Sequence, residues 1–169
     1  MKVAILGAGA WGTALGVVLS QGGYSVRLWG HRPEHVSELA HTHVNARFLP
    51  GIPLVGDWAF ETEFDAALAE AEVVVVAVPS KAFREAAARL TGFRGPVVSV
   101  TKGIEFTSGL TMTGILDSVA PGLQTAALSG PSLAMEVARG VPTAVVVASR
   151  EEVVSRTVQD LFHQPAFRV

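Results

Sequence analysis

The stretch ILGAGAWGTALG, residues 5–16, joins an apolar run to a helical pattern through closely spaced glycines. The run Lys2–Leu6 is rich in β-branched residues and predicts a buried strand that is part of the fold. After the glycines, apolar residues recur at helical spacing, namely Trp11, Leu15, Val18 and Leu19. Gly22-Gly23 then supplies a stop. This stretch therefore constrains the chain to a strand, a tight turn and a helix.

The same alternation of short apolar runs and helical patterns continues along the chain. The further predicted strands are Ser25–Trp29, Glu72–Val78, Pro96–Val100, Thr125–Leu128 and Thr143–Ala148. Most of these runs lack the alternation of a half-exposed strand, which is typical of parallel sheets covered on both faces. The predicted fold class is therefore α/β: a doubly wound, mostly parallel, Rossmann-like sheet in three layers.

Three serines mark expected helix starts. Ser80 is expected to cap a helix with an apolar stripe, and Ser149 with Glu152 forms a capping-box pattern. Ser132 is expected to cap a helix and also to belong to a site. By contrast, residues 41–57 contain two prolines and two glycines without a clear period, and predict a long surface connection. No linker interrupts the pattern, so residues 1–169 are expected to form one domain.

Composition excludes several classes of protein. Hydrophobic residues make up 49% of the chain and charged residues 17%, as in a globular protein with a core. A formal net charge of −2 and scattered basic residues argue against a nucleic-acid partner. No apolar run reaches the roughly 18 residues of a membrane span. The lack of cysteine is consistent with a cytoplasmic protein, and His41 and His43 have no nearby carboxylates, so no metal is predicted.

The glycines fit the fingerprint of a dinucleotide-binding loop. In Gly7-x-Gly9-x-x-Gly12, the first glycine permits a tight turn, the second a close approach to pyrophosphate, and the third close helix packing. The motif follows a predicted strand and opens a predicted helix, whose N-terminus favours phosphate. We therefore predict nucleotide binding rather than a plain strand–turn–helix.

The end of the second predicted strand reads LWGHRPEH, residues 28–35. His31 and Arg32 stand where an acidic residue usually binds the ribose 2′-hydroxyl. A cation attracts a 2′-phosphate that a carboxylate would repel, so NADP(H) is the favoured cofactor, with NAD(H) tolerated. The alternative is that Arg32 is a solvated arginine ahead of Pro33.

Three further segments follow predicted strands, where ligands of open α/β sheets lie: VPSKAF, TKGIEF and SGPSLAME. The chain has only three lysines, and Lys102 is the one placed to reach a cleft. Lys2 begins the first strand at the opposite edge, and Lys81 is expected to be an exposed first-turn residue. A solvated loop lysine is the alternative for Lys102.

Taken in order, these motifs resemble the N-terminal half of bacterial NAD(P)-dependent glycerol-3-phosphate dehydrogenases. The resemblance rests on GAGAWGTALG, LWGHRPEH, NARFLPG, VPSKAF, TKGIE and SGPSLAMEVARGVPTAV, and it runs from residue 2 to the end of the chain. It implies interconversion of dihydroxyacetone phosphate and sn-glycerol 3-phosphate, a precursor of phospholipids.

The resemblance also implies roles for individual residues. The implied cofactor-binding residues are Gly7, Gly9, Ala10, Trp11, Gly12, His31, Arg32, Phe83, Lys102 and Ala134. The implied substrate-binding residues are Lys102, Gly130 and Ser132. The family's general acid/base lysine is expected in a helical second domain beyond Val169, so no residue of this chain is expected to be catalytic. The chain alone is then expected to bind NAD(P)(H) without efficient turnover.

Two other interpretations stay open at this point. The same fold suits related dehydrogenases of 3-hydroxy acids or sugar acids, although TKGIE and SGPS argue against them. A non-catalytic NAD(P)-sensing module would need no acid/base at all. Association into a homo-oligomer is also left open.

Overall fold

The computed structural model describes residues 1–169 and contains nine strands and seven helices. The strands are β1 Lys2–Leu6, β2 Ser25–Trp29, β3 Trp58–Glu61, β4 Val73–Val76, β5 Pro96–Ser99, β6 Gln124–Ser129, β7 Thr143–Ala144, β8 Val146–Ser149 and β9 Phe167–Arg168. The helices are α1 Ala10–Gln21, α2 Pro33–Thr42, α3 Phe64–Leu68, α4 Ser80–Ala88, α5 Met112–Val119, α6 Ala134–Ala138 and α7 Glu152–Phe162. None of these helices is long and apolar enough to cross a membrane.

Seven strands form one sheet in the order β3-β2-β1-β4-β5-β6-β8. All neighbours are parallel except β8, which runs antiparallel to β6. In the centre, Ile5 lies beside Leu28 on one side and Val75 on the other. β7 and β9 form a separate two-stranded sheet. The predicted doubly wound, mostly parallel fold is confirmed.

Each central strand supplies residues to two separate cores because successive side chains point to opposite faces. Ile5 and Val75 pack with α1 and α7 on one face, whereas Leu6 and Val74 pack with α4 and α5 on the other. All four residues of β4 are buried. Because β4 is covered on both faces, its sequence is apolar throughout and does not alternate between apolar and polar residues.

Several strand predictions need correction. β3 was missed because it is a four-residue edge strand, paired only with β2. The run Thr143–Ala148 was predicted as one strand, but it forms two pieces, β7 and β8, that pair with different partners. Between them, the Val145 amide donates to the Arg168 carbonyl at 2.9 Å. The strand is divided because its two pieces pair with residues that are distant in the chain. The local sequence pattern carries no information about such pairing.

All three serine cap predictions are wrong. The N-cap of α4 is Pro79, with Ser80 already the first helical residue, and the N-cap of α6 is Leu133 rather than Ser132. Ser149 remains in β8, where its hydroxyl donates to the Thr125 carbonyl at 2.7 Å. α7 then starts at Glu152, two residues later than a capping box with Ser149 as its N-cap requires, and Glu151 is its N-cap.

The prediction of a long surface connection over residues 41–57 is only partly right, because most of these residues are exposed but the segment is also tied to the core. α2 extends to Thr42, and a β-bridge joins Val44 to Pro53. Within the remaining 43–57 loop, four residues are buried: Asn45, Leu49, Ile52 and Leu54. They pack one by one against the core, without the period of a helix or strand, so sequence periodicity could not reveal them.

The packing of α7 against the core predicts how stability changes when side chains of this helix are shortened to alanine. Phe162 has no exposed surface, whereas Val153 on the same helix is 76% exposed. Phe162→Ala should lower the free energy of unfolding by about 3–5 kcal/mol, because it leaves a cavity, and Val153→Ala should change it by less than about 0.5 kcal/mol. Urea unfolding of both variants measures this difference, and equal losses would contradict the packing described.

Candidate functional site

The parallel arrangement brings the predicted site segments to one edge of the sheet. β1, β2, β4, β5 and β6 all end on this edge. The segments that leave them are residues 7–12, 30–32, 77–80, 100–103 and 130–132. Segments separated by more than 100 positions in the chain therefore border a common surface, as expected for ligand binding in this class of sheet.

The glycine loop is shaped by two close backbone approaches. Gly7 has a φ of +126°, and a Cβ there would lie 2.6 Å from the Ala77 carbonyl oxygen. A Cβ on Gly12 would lie 2.1 Å from the Gly7 carbonyl oxygen. At Gly9, by contrast, a Cβ would meet nothing within 4 Å. Gly7 and Gly12 thus serve the fold, and Gly9 leaves open space at the surface.

The N-terminus of α1 faces this open space without any internal cap. Gly9 is its N-cap, no side chain caps it, and its first turn contains no acidic residue. The first N–H groups of a helix have no partner within the helix and carry partial positive charge. Ala10 and Trp11 begin this turn, half-buried. α6 packs against α1, and its first residue, the half-buried Ala134, packs against the core cluster that contains α1.

The segment after β2 offers two exposed nitrogen-bearing side chains and no carboxylate partner. Arg32 donates from Nε to His31 Nε2 at 3.3 Å and forms no ion pair. Gly30, the residue before them, is buried, and a Cβ there would lie 2.8 Å from Val36 Cγ2. The Gly7 amide donates to the Trp29 carbonyl at 3.0 Å. The glycine loop is therefore tied directly to the end of β2.

The predicted substrate residues converge on one carbonyl group. Lys102 Nζ donates to the Gly130 oxygen at 2.9 Å, and the Ser132 hydroxyl donates to the same oxygen at 3.4 Å. Gly130 itself is confined, because a Cβ would lie 2.9 Å from Val145 Cα. The hydrogen bond from Lys102 to Gly130 thus connects the TKGIE segment to the SGPS segment.

Other predicted residues lie elsewhere. Phe83, on α4, has no exposed surface and packs in the core, and its cofactor contact stays a prediction. Lys81 is exposed on the first turn of α4, and Lys2 pairs with Glu70 at 2.6 Å at the opposite edge of the sheet. Both of these lysines lie where they were expected.

An ion pair that sequence analysis missed supports the segment carrying Lys102. Arg84 on α4 binds Glu105 through two hydrogen bonds, one of them from Nε at 2.9 Å. These bonds, with one from the Ser108 hydroxyl, lower the pKa of Glu105 to about 2. The Glu105 amide also donates to the Leu110 carbonyl at 2.9 Å, which closes the loop. No local pattern indicated this ion pair, because Arg84 and Glu105 are 21 residues apart in the chain and lie on different elements.

The lowered pKa of Glu105 predicts a pH-dependent contribution to stability. Its ordinary pKa is 4.5, so the contribution is complete above that value and is lost as pH falls towards about 2. The free-energy difference between wild type and Glu105→Gln should stay constant at neutral pH and shrink below about pH 4.5. Urea unfolding from pH 7 to pH 3 measures it, with the exposed, unpaired Glu85→Gln as control. A difference that does not change over this range would contradict the ion pair.

Comparison with known proteins agrees with this geometry. A family model described as the N-terminus of NAD-dependent glycerol-3-phosphate dehydrogenase matches residues 2–155. The glycerol-3-phosphate dehydrogenase (NAD(P)+) of Chlorobium luteolum is 45% identical, covering 100% of this chain and 53% of that protein. The enzyme of that name from Anaeromyxobacter dehalogenans is 44% identical, covering 99% of this chain and 52% of that protein.

Solved structures agree as well. A glycerol-3-phosphate dehydrogenase from Coxiella burnetii matches with a TM-score of 0.94 and 36% identity, covering 99% of this chain and 52% of that one. The chain spans about half the length of the curated relatives it matches. The resemblance predicted from the motifs is confirmed: the chain belongs to the NAD-dependent glycerol-3-phosphate dehydrogenase family and corresponds to its N-terminal part.

Proposed function

We propose that this chain is the cofactor-binding part of an oxidoreductase that interconverts dihydroxyacetone phosphate and sn-glycerol 3-phosphate. The observation that carries the proposal is the uncapped N-terminus of α1, which opens at Gly9 onto the same edge as Lys102 and Gly130. A dinucleotide extended along this edge has its pyrophosphate at the helix and its nicotinamide end near the lysine. When bound, the cofactor supplies or accepts the hydride.

NADP(H) is the proposed cofactor, with NAD(H) tolerated. Arg32 is exposed and pairs with no carboxylate, so its guanidinium is free for a 2′-phosphate. Arginine suits phosphate because its planar group donates two parallel hydrogen bonds. The missing acidic residue after β2 also removes the repulsion that favours NAD(H) over NADP(H).

Lys102, Gly130 and Ser132 are proposed to bind the phosphate-bearing substrate. The Lys102 ammonium stays exposed while one of its three donors holds the Gly130 carbonyl, so the others are free. A cation held in this way orients an anionic substrate and stabilises negative charge that develops on its oxygen. The edge is open to water, and we propose that these residues alone bind nucleotide without efficient turnover.

The cofactor assignment is tested by titration with NADPH and NADH, followed through tryptophan fluorescence at Trp11 and Trp29. Saturable binding is expected to be tighter for NADPH. Arg32→Ala should weaken NADPH binding about tenfold, the size of one charge-assisted interaction, and leave NADH binding unchanged. Arg94→Ala, an exposed arginine at the opposite edge, is the matched control. Equal loss for both nucleotides would contradict a role for Arg32 at the 2′-phosphate.

The substrate assignment is tested by calorimetric titration of sn-glycerol 3-phosphate in the presence of saturating NADP+. Lys102→Ala should weaken binding about tenfold or more, because it removes a cation that contacts the anion. Lys81→Ala removes the same charge from an exposed position on α4 and should have little effect. Nucleotide binding without any affinity for the phosphate substrate would favour a sensing module over the enzyme.

A further inference from the structure

A fully buried asparagine lies directly behind the glycine loop. Asn45 belongs to the 43–57 loop and has no exposed surface, although Ala46 and Arg47 beside it are exposed. Burial of a polar amide is unfavourable unless its donors and acceptors find partners. The partners of Asn45 therefore indicate what its position serves.

The amide nitrogen of Asn45 donates towards two parts of the glycine loop. Nδ2 lies 3.1 Å from the Ala8 carbonyl oxygen and 2.7 Å from the Thr13 hydroxyl. Thr13, also fully buried, donates that hydroxyl to the Gly9 carbonyl at 2.8 Å. One amide thus holds two successive carbonyls, Ala8 directly and Gly9 through Thr13.

The amide oxygen faces the other way and connects to α2. It accepts from the Phe48 amide at 3.3 Å and lies 3.0 Å from His35 Nε2. Because an amide oxygen can only accept, His35 Nε2 carries the hydrogen of this bond. Since α2 begins directly after Arg32, Asn45 joins the element beside Arg32 to the glycine loop.

These bonds determine which way the loop peptides face. In a planar trans peptide the N–H points opposite to the carbonyl. With the Ala8 and Gly9 carbonyls held towards the protein, the Gly9 and Ala10 N–H groups point to the opposite side. The Gly9 carbonyl also accepts the first helical hydrogen bond, from the Thr13 amide at 3.0 Å, so α1 itself holds the peptide between Gly9 and Ala10. The peptide between Ala8 and Gly9 lies before the helix, with open space around Gly9, and there it is Asn45 that holds the carbonyl. A reversed peptide would present a carbonyl oxygen, which repels phosphate.

We propose that Asn45 is a positioning residue for the dinucleotide pyrophosphate, acting through the Ala8 carbonyl, with the Thr13 hydroxyl holding its amide in place. The inference rests on the proposed function, since it assumes that a dinucleotide binds at the glycine loop. It assigns to the 43–57 loop a role in ligand binding without contact to the ligand.

The test removes single donors and measures nucleotide binding. Thr13→Val keeps the side-chain shape but loses the hydroxyl, and Asn45→Asp keeps an oxygen for His35 but loses both donors to the loop. Each should weaken NADPH binding about three- to tenfold, the worth of a lost hydrogen bond. Thr13→Ser retains the hydroxyl and should restore binding. Thr157→Val removes a like hydroxyl, which donates to the Val153 carbonyl of α7 at 2.8 Å, and is the matched control.

A second ligand distinguishes loss of pyrophosphate positioning from a general disturbance of the nucleotide site. Adenosine 2′-monophosphate carries the 2′-phosphate without the pyrophosphate, so its affinity should not change in Thr13→Val or Asn45→Asp. Equal weakening for both ligands, or unchanged NADPH binding in both variants, would overturn the inference. Should Asn45→Asp fail to unfold cooperatively, the Thr13 variants test the same geometry. A wild-type chain that binds neither NADPH nor NADH would instead contradict the proposed function itself.

Discussion

The close packing of α1 against the ends of β1 and β4 is the constraint on which the rest of the structure depends. A Cβ on Gly12 would lie 2.1 Å from the Gly7 oxygen, and one on Gly7 would lie 2.6 Å from the Ala77 oxygen. Only glycine fits at both positions, so helix and sheet meet backbone to backbone. This contact brings the start of α1, with its unpartnered N–H groups, to the carboxyl edge of the central strands.

Support for that edge comes from side chains that lie behind it. The Arg84–Glu105 ion pair holds the loop that carries Lys102, and Lys102 in turn holds Gly130. Asn45 and Thr13 hold the carbonyls of the glycine loop from the opposite side. In both cases a polar network orients a backbone segment, which leaves the exposed groups of that segment available to a ligand. Side chains of the chain itself thus organise this edge of the sheet.

Much of the architecture could be predicted because the relevant signals are local. Two-sided burial makes β4 apolar throughout and β1 apolar after its exposed Lys2, and glycine spacing marks the turn that follows β1. The failures share a different cause. β3, the break between β7 and β8, and the four buried residues of the 43–57 loop all depend on partners far along the chain. The Ser149 cap prediction failed because the hydrogen bond from Ser149 to Thr125 on the neighbouring strand outweighed a local preference.

By itself, the sequence determined the α/β class, the glycine loop, the position of Arg32 after β2 and the family, since each depends on residues close together in the chain. Only the tertiary structure decided that Lys102 contacts Gly130, that Phe83 is enclosed in the core and that Asn45 lies behind the glycine loop. The physical reason is the same for all three. A side chain's partners are chosen by the packing of whole elements on the sheet, and spacing along the chain carries no record of that packing.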